Sequence, residues 1–354
     1  MLPFLLALGV AVAAPQDGRN DLRDAIRRFD REAALRAARA LLEQGSRAAV
    51  DQLLSALDFA ADEEEAISRT LTETRRTERR VFHEYRKSSE NVDRPRLLQE
   101  LQQLEKNILG LEERIALVRA VRELVTEGMG KITDARATQF LLERMSASGS
   151  WPTRHACAYA AAFNSTLPFE TAVPALLRLL ETEKHPLVRI QIIDALRARR
   201  DKREAVVHAL HRRLEGDPWP VAAAAVEFLQ EIAAPQSVPV LIDAMARYEG
   251  RLRNDIRDAL ATMTGESRPA DPATWKTWWD ANGDAFLNGT YSPPGGQSAT
   301  VGFYTDFFGI PVRSSRILFV LDRSDSMGQR ARWKAPEPDP SLPADVKLGG
   351  DTKL

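Results

Sequence analysis

Apolar side chains recur every three or four residues along most of the chain, and this spacing is typical of amphipathic helices. The first such stretch runs from Asp21 to Gln44, includes Phe29 among its apolar positions, and precedes Gly45, a residue type common just after a helix. Residues 51–61 continue the pattern as a neighbouring helix. The sequence therefore predicts that residues 15–130 are helical.

A helical hairpin is predicted within this region, over about residues 62–127. Its first helix is lined by Ile67, Leu71, Val81 and Tyr85, and residues 91–95 turn the chain. Seven apolar residues then alternate at spacings of four and three: Leu97, Leu101, Leu104, Ile108, Leu111, Ile115 and Val118. That alternation predicts a coiled coil, in which Gly110 disturbs the register only locally. A long amphipathic helix lying on the next domain is the alternative.

An internal repeat runs from Thr138 to Gly265 with a period of 32 to 34 residues. The predicted core positions of the first helices are Phe140, Val173, Val206 and Val238, and those of the second helices are Phe163, Leu196, Phe228 and Leu260. Turn prolines fall at Pro152, Pro186 and Pro218, and Val173-Pro174 and Val238-Pro239 are predicted as matching helix starts. A single helix pair cannot bury its apolar face alone, so four copies must stack into a solenoid.

The segment Val173-Pro-Ala-Leu-Leu-Arg-Leu-Leu, followed by His185-Pro-Leu-Val-Arg189, resembles the HEAT repeat. The resemblance implies an armadillo-like α-solenoid whose surface binds proteins. Four histidines lie within the repeats, at positions 155, 185, 208 and 211. No carboxylates accompany them at ligand spacing, which favours a structural role over a metal or catalytic one.

Asp271 begins a predicted short helix with Trp275, Trp278 and Trp279 on one face. We expect it to close the solenoid, so that the HEAT-like region spans residues 138–286; an exposed shelf that stacks on a sugar is the alternative. This W-x-x-W-W segment resembles the tail that follows HEAT repeats in exported bacterial proteins of planctomycete type.

Residues 287–299 form a predicted flexible linker that contains Asn288-Gly289 and Pro293-Pro-Gly-Gly. Residues 300–312 are rich in β-branched and aromatic side chains around Gly309 and predict a strand or hairpin.

A polar loop after a short apolar strand is the strongest candidate site. Ile317 to Leu321 are five consecutive apolar residues, and they predict a strand that is covered on both faces. Asp322, Ser324 and Ser326 alternate directly after it. Alternating residues in an extended loop share a side, so their oxygens can converge on a hard cation, Mg²⁺ before Ca²⁺.

The strand and its D-x-S-x-S-M loop resemble the opening of a von Willebrand factor A domain. The resemblance implies a doubly wound α/β fold and a metal-ion-dependent adhesion site (MIDAS), which holds Mg²⁺, or else Ca²⁺ or Mn²⁺, and binds a partner's carboxylate. Asp325 stands where the family often has Gly. The family's other ligands, a Thr and an Asp on later loops, would lie beyond Leu354. Residues 300–354 are therefore expected to be the N-terminal part of an incomplete domain, in a fragment or truncated gene product.

Residues 1–14 predict an export signal, because residues 2–14 are uncharged and Ala11-Val12-Ala13 offers small residues for cleavage. They lack the usual basic start, so a buried first helix is the alternative. The apolar run is too short to span a bilayer, and no membrane span is expected in the mature chain. Export would place the protein in the periplasm, on the cell surface or outside the cell.

Composition is that of an ordinary folded chain. Hydrophobic residues make up 44% of the 354 positions, which allows two or three domains with sizeable cores. The formal net charge of −1 argues against nucleic acid or an anionic membrane as the main partner. The single cysteine, Cys157, excludes an internal disulfide and is predicted to be a small buried residue among alanines.

Two function classes are compatible with these patterns. The first is a non-enzymatic, exported adhesion or scaffold protein, whose solenoid and coiled coil hold one protein while a metal-dependent A domain holds another. The second is an enzyme, but the sequence contains no nucleophile elbow, phosphate loop or His-Glu metal signature, so we predict no catalytic activity. The alternatives within the first class are a HEAT scaffold with a metal-free A-type domain and an accessory subunit of an enzyme. The fold class expected is mainly α: a coiled-coil hairpin, an α-solenoid, and then the first strands of an α/β domain.

Overall fold

The computed structural model describes residues 18–88, 93–147, 149–293, 305–307 and 310–312. The chain divides into two compact units, residues 1–302 and 303–354. In the described part of the first unit there are thirteen helices. They are α1 (Gly18–Arg27), α2 (Arg31–Gln44), α3 (Arg47–Lys87), α4 (Arg94–Met129), α5 (Ala135–Ala147), α6 (Trp151–Phe163), α7 (Phe169–Thr182), α8 (Pro186–Ala198), α9 (Glu204–Arg213), α10 (Trp219–Ile232), α11 (Ser237–Arg247), α12 (Gly250–Thr264) and α13 (Pro272–Leu287).

The single helix predicted from Asp21 to Gln44 is wrong, because the chain breaks between α1 and α2. Phe29 has a left-handed backbone at φ 57°, which a helix cannot contain. Asp30 then caps α2, its carboxylate accepting the backbone N–H of Ala33 at 3.0 Å. Gly45 ends α2 with φ 55°, as the sequence predicted.

The two longest helices, α3 and α4, pair along their lengths. The separate helix predicted over residues 51–61 is instead the first part of α3, which is continuous for 41 residues. Ile67, Leu71 and Ile115 form a small core between the two helices. All seven predicted α4 positions are buried or half-buried, and α4 continues through Gly110.

The repeat region has two layers of helices, which confirms the predicted solenoid. The first helices of the pairs, α5, α7, α9 and α11, contact one another in sequence, and the second helices, α6, α8, α10 and α12, form the other layer. Helices α3 and α4 pack against α6 at one end. One core of buried side chains extends from Leu22 through all four pairs to Trp278.

Two predicted core positions of the first repeat are wrong by two residues. Phe163 is 51% exposed. When the buried positions of α6 and α8 are aligned, the residue of α6 that corresponds to Leu196 is Ala161, which is fully buried. Phe140 is only half-buried, and Thr138 occupies the position that matches Val173. In addition, Val173-Pro174 does not start a helix, because α7 begins at Phe169 and Pro174 lies in its second turn.

Helix α13 packs against α11, so the expected closing helix is present at the end of the repeats. Asp271 caps it by accepting the backbone N–H of Thr274 at 2.8 Å, and Trp275 and Trp278 are almost fully buried. The predicted linker does not begin at residue 287 as a free segment. Tyr291 lies edge-on to Trp278 at 5.4 Å and accepts a hydrogen bond from its indole N–H.

The second unit is described over two short strands, β1 (Thr305–Phe307) and β2 (Ile310–Val312). They pair antiparallel, with Thr305 opposite Val312 and Phe307 opposite Ile310. These two strands lie within residues 300–312, where a strand or hairpin is predicted. The strand predicted over residues 317–321 lies outside the described residues.

Candidate protein-binding surface

Largely buried ion pairs join the first repeat to the second and the second to the third, at the start of the second helices. Arg154 of α6 donates two hydrogen bonds to the Glu183 carboxylate, at 2.5 and 2.9 Å. Arg189, at the matching position of α8, pairs with Asp217 and donates to the Glu183 carbonyl at 2.7 Å. These arginines fix the loops that precede α8 and α10, and so fix what the first turns of those helices present to solvent.

An aromatic platform forms on the first of these turns. The Trp151 and His185 rings stack with centroids 4.3 Å apart and planes 1° from parallel. His155 meets the edge of the Trp151 ring at 6.5 Å, and the Arg122 guanidinium from α4 lies 5.6 Å from its centroid. The platform therefore joins the long helices to the first two repeats.

The histidines of the platform are neutral at pH 7. Burial, then the charge of Arg122 and the neighbouring His185, lower the pKa of His155 to about 4. Burial lowers the pKa of His185 too, and the opposing effect of Glu183 does not reverse it. Both rings thus act as flat, uncharged surfaces.

A groove of about 430 Å³ lies between the platform and α3. Its walls are Ala61, Glu64, Glu65, Ser68, Arg119, Arg122, Trp151 and Leu187. Burial raises the pKa of Glu64, but hydrogen bonds and charge from Arg119 and Arg122 outweigh it, so the net pKa is below the ordinary value. Glu65 is paired with Arg69 at 2.7 Å. Both acids of the groove are thus paired with arginines, and its apolar walls are Ala61, Trp151 and Leu187.

Large apolar side chains continue this surface along the solenoid. Leu187 at the start of α8 is 50% exposed, and Trp219 at the start of α10 is 62% exposed. Trp151 and Trp219 occupy matching positions, ten residues before Ala161 and Leu229 in the buried pattern. The first turn of each of three successive second helices therefore carries a large apolar side chain, and we call these three residues the helix-start row: Trp151, Leu187 and Trp219.

Most residues predicted as sites do not lie in this surface. Asp322, Ser324 and Ser326 lie outside the described residues. His208 and His211 lie edge to face at 5.9 Å, and His211 shares a hydrogen bond with Ser237 at 2.9 Å. In the part of the chain that the structure describes, no group of three or more His, Cys, Asp or Glu side chains is placed to hold a metal ion.

The helix-start row was not predicted as a surface. Its sequence signal is a large apolar residue beside a proline, in Trp151-Pro152, Pro186-Leu187 and Trp219-Pro220. The sequence predicts Pro152, Pro186 and Pro218 as turn markers, and the apolar residues beside them do not enter that prediction. The groove also depends on α3 and α4, which are distant in sequence, and no local pattern could reveal it.

The family model of HEAT repeats matches residues 143–227 and again residues 173–261. This stretch carries HEAT repeats. The matched residues extend from α5 to α12, so the helix-start row lies entirely within the HEAT repeats. No curated protein and no solved structure matches the chain. Among the described helices, none is both long and apolar enough to cross a bilayer.

Proposed function

We propose that this protein is a non-enzymatic, exported scaffold that binds another protein through its HEAT repeats. The observation that carries the proposal is the exposure of Leu187, which lines a groove whose acids are already paired, and of Trp219 at the start of the next second helix. Large apolar and aromatic side chains gathered on one surface are typical of contact centres, where burial against a partner supplies most of the binding free energy.

A photo-crosslinking amino acid placed at residue 187 tests this binding surface. The same amino acid at Glu170, an exposed residue of the first-helix layer, is the matched control. We expect a discrete crosslinked product in the native host from position 187 and none from position 170. The substitution Trp219→Asp should remove that product without changing the melting temperature. Equal crosslinking at both positions would show that the helix-start row is not a binding surface.

We further propose that Asp322, Ser324 and Ser326 hold Mg²⁺, or else Ca²⁺ or Mn²⁺, as part of a MIDAS-type site that binds an acidic residue of a second protein. The support is the resemblance of their loop to a von Willebrand factor A domain. Three ligands on one loop leave most of the cation's shell to water, so this chain should bind Mg²⁺ weakly.

Calorimetry on the longest in-frame product of the gene, with and without Asp322→Ala, tests the metal site. Loss of Mg²⁺ binding in the variant is expected. Unchanged binding would instead favour a HEAT scaffold with a metal-free A-type domain.

Export is proposed from residues 1–14. N-terminal sequencing of protein from the native host should find a chain that begins at or near Ala14. An intact Met1 in the cytoplasmic fraction would assign this segment to a structural helix.

A further inference from the structure

The outer part of the α3–α4 hairpin has an exposed apolar and charged face. The small core of the hairpin contains Ile67, Leu71 and Ile115. The apolar residues at spacings of three and four along which α3 and α4 pack are called the seam. Beyond the small core, the seam residues Leu101 and Leu104 are only half-buried. Phe82, Leu98 and Leu109 are 51%, 45% and 57% exposed. These are three of the seven large hydrophobic side chains that the described residues expose.

The three apolar residues share one side of the hairpin. Each of them follows a seam position by one residue, and in an antiparallel helix pair such positions from both helices flank the seam on the same side. The ion pair between Arg75 and Glu112, at 2.5 Å, joins two such positions directly. We call this side the hairpin face: Arg75, Arg79, Phe82 and Arg86 on α3, and Leu98, Gln102, Glu105, Leu109 and Glu112 on α4.

Charge on the hairpin face is divided between the two helices. The α3 row carries three arginines and no acid, whereas the α4 row carries two glutamates and no base. Arg79 and Glu105 are both exposed. The face therefore has a basic half and an acidic half, each with apolar side chains.

The basic residues on α3 and the acidic residues on α4 lie at the same height along the hairpin. Ile67 and Ile115 share the small core, and Arg75 bonds Glu112. Residue numbers rise along α3 as they fall along α4. Counted from the Ile67–Ile115 contact, Arg79 is level with residue 103 of α4, and counted from the Arg75–Glu112 bond it is level with residue 108. Glu105 lies between these two residues. A twofold axis that runs along the hairpin would place α3 of one copy on α4 of another at the same level. Arg79 would then meet Glu105 of the second copy, and Phe82 would lie between one and two turns from its Leu98.

We propose that the hairpin face binds a second copy of this chain in this twofold arrangement. Each contact occurs twice by symmetry, as in an isologous interface. Burial of Phe82 and Leu98 drives association, and the arginine and glutamate rows select the orientation, because the alternative pairing of α3 with α3 would oppose arginines. An anionic membrane would suit the arginines but would repel Glu105, so the acidic half favours a second copy.

Charge reversal across the interface is the test, with mass measured by sedimentation velocity on the full chain over a concentration series. The unaltered protein should reach twice its monomer mass of 39.5 kDa. Arg79→Glu and Glu105→Arg should each raise the dimer dissociation constant at least about tenfold, because each places like charges opposite one another twice. Arg76→Glu, on an exposed residue of α3 outside the hairpin face, is the control and should leave the mass unchanged.

Mixing the two single variants gives the decisive result. In the mixed dimer both contacts again join opposite charges, so heterodimers should form where neither variant dimerises alone, and the double variant should dimerise as well. Restored dimerisation also excludes misfolding as the reason why each single variant dimerises less. A monomeric unaltered protein, or a mixture that stays monomeric, would overturn the proposal. A monomeric unaltered protein that floats with phosphatidylserine vesicles would assign the face to a membrane surface instead.

Discussion

The Glu183 carboxylate is the most heavily used side chain at the junction between repeats. It receives two hydrogen bonds from Arg154 and the backbone N–H groups of Lys184 and His185, at 2.9 and 2.8 Å. Burial alone raises the pKa of Glu183. The hydrogen bonds from these donors and the charge of Arg154 lower the pKa by more than burial raises it, so the pKa lies below its ordinary value. The carboxylate is therefore ionised at neutral pH and holds the loop before α8.

We expect Glu183→Gln to lower the free energy of unfolding by about 3 kcal/mol, because it leaves the buried Arg154 guanidinium without its counter-charge. The matched control is Glu181→Gln. Glu181 pairs with Arg212 at 2.6 Å, but both side chains are about half exposed, and the loss should be at most about 1 kcal/mol. Urea unfolding of both variants measures the difference, and equal losses would show that burial does not strengthen the Glu183 pair.

Aromatic residues misled the sequence analysis at the level of single positions. Phe140 and Phe163 are large and apolar, and they fall close to the repeat period. The core positions are nevertheless filled by Thr138 and Ala161, because α5 and α6 also pack against α3 and leave room only for small side chains there. Leu196 and Leu260 were predicted correctly, and both are fully buried.

Helix existence was predictable from the apolar spacing, but helix limits were not. Nothing in the apolar pattern between Asp21 and Gln44 marks the break at Phe29, because a left-handed phenylalanine has no local signal. Conversely, no break separates residues 51–61 from the hairpin. The chain there keeps its helical spacing without glycine or proline, and packing against α4 makes one long helix favourable.

The α3 side of the hairpin seam is underfilled, and this predicts a stabilising change. Thr74 and Glu78 are half-buried polar residues at seam spacing, on the helix that faces Leu104 and Ile108. Thr74→Leu should raise the free energy of unfolding by about 1 kcal/mol, because leucine adds buried apolar area and favours the helix.

The control for that change is Thr72→Leu. Thr72 is exposed on the same helix, and its hydroxyl makes the same bond to a carbonyl four residues earlier as that of Thr74. Thr72→Leu tests helix propensity alone and should raise the free energy of unfolding by no more than about 0.5 kcal/mol. Equal gains by thermal melting would mean that Thr74 does not face the seam.

At the scale of the whole molecule, one continuous core makes the stability of each repeat depend on its neighbours. Leu196 is fully buried in α8, and Leu187 of the same helix is half exposed. Leu196→Asp should cost several kcal/mol and unfold much of the solenoid, because it places an unpaired charge between repeats. Leu187→Asp should keep the unaltered melting temperature and weaken only the binding of a partner. A circular dichroism melt of each variant measures this difference in stability.

The repeats could be predicted from sequence, whereas the binding surface could not. A period of about 33 residues is visible in one dimension, because each repeat is one helix pair of similar length. The groove instead requires Glu64, Arg122 and Trp151 to meet from α3, α4 and α6, and their placement depends on where the long helices dock.

The row of repeats is closed differently at its two ends. At the start, α3 and α4 cover α6, and Asn164 fastens that junction by donating to the Ile132 carbonyl at 2.7 Å. At the finish, α13 covers α11 with Trp275 and Trp278. A second copy that stacked head to tail on these repeats would have to displace α3 and α4 from α6, or α13 from α11. We expect a chain cut before α13 to self-associate, because the face of α11 against which α13 packs would then be exposed to solvent.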